Sequence, residues 1–153
     1  MGGYLRFGLM LLCSTLVMLG LMYLNTYALD DVRFSQTRDW MALVMGAAMA
    51  IIMLAFMHGM YGDKRHNTAI FAGAAVLSAV ALWLVRSQAT VDDVAYMKAM
   101  ILHHSIAIMT SERAHIQDPR VRELADGIIA TQRKEIGEMN ALIDDIERSG
   151  VQR

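Results

Sequence analysis

Between Met97 and Met109 the chain reads MKAMILHHSIAIM, two adjacent histidines among three methionines in an otherwise apolar run. Thioether sulfur and imidazole nitrogen both bind copper, and a set of methionines with histidine is soft enough to suit Cu(I). The same residues have a bland reading. Methionine fills irregular cores, and a buried histidine is usually satisfied by a hydrogen bond rather than a metal. Deciding between the two requires knowing what faces what.

At about 100° per residue, Met97, Met100, Ile101, His104, Ile108, Ser111 and His115 share one stripe of a helix, with His103 at its edge beside Met100 and Ala107. Thr90 followed by Asp93 reads as the capping box that starts this helix. Asp118-Pro119 reads as an N-cap with proline at the first helical position, so a second helix begins there. Its apolar stripe runs through Val121, Leu124, Ala125, Ile128, Ile136, Met139, Leu142, Ile143 and Ile146, and Gln132 and Glu135 interrupt it. Folding the pair back at residues 116–118 sets Met97 opposite Met139, Met100 opposite Glu135 and His104 near Gln132. The polar interruptions of the two stripes then meet at one level. Met97, Met100, His104 and Met139 are the donors of this arrangement. Glu135 and Gln132 stand where they can hold the histidine nitrogen that does not ligate, as outer partners of metal-bound histidines do. His104 points nearer the centre of the stripe than His103. His115 near the turn and His66 in a basic loop read as surface residues.

These helices need an anchor, and the chain supplies one. Apolar runs at about 7–24, 41–61 and 68–85 each approach the roughly 20 residues that cross about 30 Å of hydrocarbon, and backbone inside lipid must be helical. Trp40, Tyr61 and Trp83 lie near the run ends, where aromatic belts sit. Hydrophobic residues make up 56% of the 153, above the usual share for a soluble domain. Thr26-Tyr27-Ala28 weakly resembles a signal cleavage site, but two further apolar runs follow it. The net charge of -1 gives no reason to expect a nucleic-acid partner. Single Cys13 permits no internal disulfide and reads as lipid- or core-facing. The basic loop DKRH slightly favours an N-terminus inside, against a nearly even count of positive charge on the two sides. Met41, Met45, Met49, Met53 and Met57 recur every four residues, and Met18 and Met22 share a face of the first span. They form either a thioether ladder for a soft metal or ordinary helix packing around small residues.

The segments MILHHSIAI and VRELADGIIATQRKEIGEM resemble the bacterial domain-of-unknown-function family numbered 305, a ferritin-like helical family. MYLNTYALD, MGAAMAIIMLAFMHGMY and LVRSQATVDD resemble its branch with three N-terminal spans. The resemblance covers nearly the whole chain. It implies a bacterial inner-membrane protein with its C-terminal domain on the periplasmic side, where some relatives bind copper and take part in copper tolerance. On that basis Met100, His103, His104 and Met139 carry over as ligands, with Gln132 and Glu135 as supports. Relatives usually have proline where this chain has Leu102, and often methionine where it has Thr110; Met109 points off the stripe.

The expected architecture is all-α: a three-helix transmembrane anchor over 1–87, then an extramembrane antiparallel helical hairpin over 88–153, a ferritin-like half-bundle. The expected function is binding of copper, most readily Cu(I), for buffering or delivery. The metal set is Met97, Met100, His103, His104 and Met139. An accessory subunit of a membrane complex with no metal role is the alternative. A carboxylate metalloenzyme would need several inward Glu-x-x-His pairs, and Glu112 with His115 gives one. No nucleophile–base pair or phosphate loop is present, so no enzyme is expected. So small a two-helix unit has little core, and a homo-oligomer is expected beside the lipid bilayer and the metal ion as partners.

Overall fold

A computed structural model describes residues 3–24 and 26–150; the last three positions of the expected hairpin lie outside the described residues. All the regular elements among the described residues are helical. Helices α1 (Gly3–Leu21), α2 (Gln36–Met57) and α3 (Lys64–Ser87) precede α4 (Asp93–Arg113) and α5 (Pro119–Ser149). Single 3-10 turns occupy Leu29–Asp31 and His58–Met60. The first three helices are long and apolar enough to cross a membrane, with mean hydropathies of 1.8, 2.3 and 2.2.

The chain divides into two compact units. One is Met1–Met22 with Thr37–Thr90; the other is Tyr23–Gln36 with Val91–Arg153. The connector between α1 and α2 therefore groups with the hairpin rather than with the three long apolar helices.

Inside the first unit, Phe7, Leu54 and Tyr61 form one buried cluster, and Ala47, Ala50 and Ala74 form another. The small residues bring backbones close, as helices in lipid require. A Cβ on Gly46 would stand 2.7 Å from Oγ1 of Thr15, so glycine at this position sets the approach of α1 to α2. Arg38 donates to the Met22 carbonyl. These two contacts fix the register: Thr15 lies level with Gly46 and Met22 level with Arg38. Met18 then falls level with residues 42–43, two to three residues from Met45, and the methionines at 45, 49, 53 and 57 are half-buried. Met53 and Met57 pack on the Phe7–Leu54–Tyr61 cluster. Gly46→Leu is expected to destabilise this unit by about 1–3 kcal/mol through overpacking. Thermal unfolding in detergent checks it, and an unchanged melting temperature would show that the α1–α2 contact is loose.

Asp63 caps α3, accepting from the backbone N–H groups of Arg65 and His66. Its carboxylate also takes the His66 ring at 2.6 Å, and that bond holds its pKa below the ordinary value. Thr90 does not cap α4. The trp40 indole N–H donates to its hydroxyl at 3.2 Å, and Asp92 takes the cap by accepting from Ala95 N–H at 2.7 Å. Asp118 caps α5 with Pro119 in the first turn, as its sequence predicts.

Candidate metal centre

Helices α4 and α5 pack antiparallel over a small core of Met97, Ile101 and Ile143, with Ile136, Met139 and Ile146 against it. Met97 sits inside this core, and Met139 packs on its edge. Met97 is buried and Met139 half-buried, so both side chains serve as packing here.

His104 is 7% exposed, and both of its ring nitrogens are engaged. Nδ1 lies 2.8 Å from the Met100 carbonyl, which can only accept, so Nδ1 carries the hydrogen. Nε2 lies 2.8 Å from Glu135 Oε2, an ion pair whenever the ring holds its second proton. The spacing pairs His104 with Gln132, whereas the structure pairs it with Glu135. Side-chain direction explains the difference. A helical side chain leans over the turn N-terminal to its own Cα, so the His104 ring reaches back to the level of Met100, opposite Glu135. Gln132 keeps an acceptor, Oε1, that is buried with no donor.

His103 points elsewhere. It is exposed, stands edge-on to His104 with ring centroids 6.4 Å apart, and has no hydrogen-bonding protein partner among the described residues. Met100 beside it is half-buried. Among the described residues no three His, Cys, Asp or Glu side chains converge on one point. The residues fit a ligand role unequally. His103 has no hydrogen-bonded ring nitrogen among the described residues and Met100 is half-buried, whereas His104 could ligate through Nε2 only if Glu135 yields. Its Nδ1–H bond to a carbonyl is the bond that orients metal-bound histidines.

The connector is a strap across one face of α4. Ser105, fully buried, donates to Asp31 Oδ2 at 2.6 Å and accepts from Tyr27 N–H at 3.1 Å. Arg33 donates to Asn140 Oδ1 at 3.3 Å. The Glu112 carboxylate beside the Tyr27 hydroxyl raises the tyrosine pKa. Glu112 also pairs with Arg133, and His115 lies beyond Ala114, the C-cap of α4. The lone Glu-x-x-His pair is thereby separated. Sequence reasoning missed the strap, because Ser105 and Asp31 are 74 residues apart and carry no periodic signal.

Three membrane-capable helices and a capped hairpin with a histidine–carboxylate pair define the class of protein: a small chain, helical in all its regular elements among the described residues, with three helices long and apolar enough to cross a membrane. The model of the family described as "Domain of unknown function (DUF305)" matches residues 93–153, which hold α4, the turn and α5. "Uncharacterized protein L153" of Acanthamoeba polyphaga mimivirus is 31% identical over 129 residues, 83% of each chain. The chain belongs to the DUF305 family. No solved structure matches it.

Proposed function

We propose that the protein is a membrane-anchored copper-binding protein that buffers or delivers Cu(I) on the periplasmic side of a bacterial inner membrane. The observation that carries this reading is His103, an exposed imidazole with no hydrogen-bonding partner among the described residues, three residues along the helix from the half-buried side chain of Met100. A structural histidine finds partners, as His104 does; among the described residues His103 has none. Imidazole with thioether selects a soft ion over Mg²⁺ or Ca²⁺, which prefer oxygen. The chain's own residues do the rest. The His104–Glu135 pair locks the helix turn from which His103 projects, and the strap holds the other face of that turn through Ser105.

The test is copper content and sidedness in one strain. Protein purified from copper-supplemented cells should carry copper, and a phosphatase that works only outside the cytoplasm should be active when fused after residue 153. Copper-free protein, or a fusion active only with a cytoplasmic reporter, would favour an accessory subunit of a membrane complex.

A further inference from the structure

The loop Asp63-Lys64-Arg65-His66 opens α3, and only part of its charge is used. Asp63 accepts from the backbone N–H groups of Arg65 and His66 and pairs with the His66 ring at 2.6 Å. Tyr4 stacks on that ring, with centroids 5.1 Å apart, and donates to the Asp63 carbonyl and to Asn67 Oδ1. The carboxylate of the loop is therefore committed to the helix cap and to His66. Lys64 and Arg65 are exposed, and among the described residues neither side chain has a hydrogen-bonding or ion-pair partner. Two unpaired cations in the first turn of a helix oppose its dipole, whose positive end lies there. Their placement costs stability unless an anion from outside the chain neutralises them.

Beyond them one face of α3 is bare and uncharged. Lys64, Arg65, Thr68, Ala69 and Ala72 line a shallow depression. Thr68, Ala69 and Ala72 are exposed. At about 100° per residue the same face continues through Val76, 64% exposed, and Val80, 50% exposed. No Asp, Glu, Lys or Arg lies between Arg65 and Arg86. This helix is long and apolar enough to cross a membrane. In a bilayer the depression straddles the border between headgroups and hydrocarbon, with its cations in the first and its apolar wall in the second. Half of a hydrocarbon core about 30 Å thick is about ten residues of helix, enough to reach from Ala69 past Val76.

We propose that this end of α3 binds one anionic phospholipid, with Lys64 and Arg65 on its phosphate and an acyl chain along Ala69, Ala72 and Val76. Charge complementarity commits the face to this occupant. A guanidinium grips phosphate oxygens two at a time, and an ammonium adds a point charge. A zwitterionic lipid brings its own cation toward Lys64 and Arg65 and gains less. A second copy related by a two-fold would bring the same unpaired cations toward each other. Free phosphate lacks the chain that the apolar wall receives. The site is independent of the copper reading.

The experiment titrates the full chain in a nonionic detergent with phosphatidylglycerol or phosphatidylcholine and counts retained lipid by native mass spectrometry. Wild type should hold one phosphatidylglycerol, and hold it more tightly than phosphatidylcholine. Lys64→Gln and Arg65→Gln should each weaken it about 5-fold and the double variant about 30-fold, the effect of one and of two basic residues at an anionic surface. Arg86→Gln removes the same charge at the other end of α3 and should change nothing. Ala72→Trp keeps every charge and should weaken binding, because the indole fills the depression. All these side chains are exposed, so circular dichroism should be unaltered. Equal retention of the two lipids, or a loss in Arg86→Gln as large as in Arg65→Gln, would overturn the site and leave only diffuse surface charge. Displacement of the lipid by an equal concentration of inorganic phosphate would overturn the role of the acyl chain. A wild-type dimer that Ala72→Trp splits would overturn the proposal by giving the face to a second copy.

Discussion

Ile101→Ala is expected to unfold the hairpin at a markedly lower temperature. Ile101 is 0% exposed and touches the Met97–Ile143 cluster, one of the few buried groups that α4 and α5 share. Truncating a buried isoleucine removes its transfer free energy and leaves a cavity, about 2–5 kcal/mol in all. A two-helix unit has little stability to spare, so that loss is a large part of the total. Thermal melts followed at 222 nm check it. The lower transition should belong to the hairpin, because Phe7, Leu54 and Tyr61 in the other unit are untouched. A melting curve like that of the wild type would mean the core is not where Ile101 lies.

The second large effect separates binding from packing. His103→Gln should weaken Cu(I) binding by about 10–100-fold or more, beyond the loss seen when a ligand's supporting partner is removed. Its ring is exposed and has no hydrogen-bonding partner among the described residues, so metal-free melting should barely move. His104→Leu should show the reverse emphasis. It strips Glu135 of its partner at 2.8 Å and costs metal-free stability about 1–2 kcal/mol, a modest figure because the carboxylate is partly solvated. Copper titrations and melts of both variants, side by side, test the division. Equal effects of the two substitutions on copper would contradict it.

Periodicity alone favours His104 over His103, and the structure engages both ring nitrogens of His104. On a helical wheel His104 lies nearer the stripe centre than His103, which makes it look like the better ligand. The centre of a two-helix stripe is where partners are found, and His104 finds the Met100 carbonyl and Glu135. Free donors stand at the edge. The same geometry explains why Val121, Leu124 and Leu142 look like core in the sequence but lie exposed. The apolar stripe of α5 is wider than one neighbouring helix can cover. Much else was legible. The three long apolar helices follow from run length, and Asp118-Pro119 marks the start of α5 because its capping chemistry is local. The α4 cap was off by two residues, since three oxygen-bearing candidates, Thr90, Asp92 and Asp93, crowd the same turn and only geometry selects Asp92. The strap was not legible at all. A bond from Ser105 to Asp31 depends on how a connector folds back, which no helical or strand period encodes.

The central claim is that this chain binds a soft ion through His103 and Met100. The most direct measurement is a competition between the full-length protein in detergent and a chromophoric Cu(I) chelator, repeated with Zn(II) and a zinc indicator. The protein should withdraw Cu(I) from the chelator at micromolar concentration and leave the zinc indicator unchanged. A chelator spectrum that stays constant as protein is added, or zinc withdrawn as readily as copper, would contradict the account.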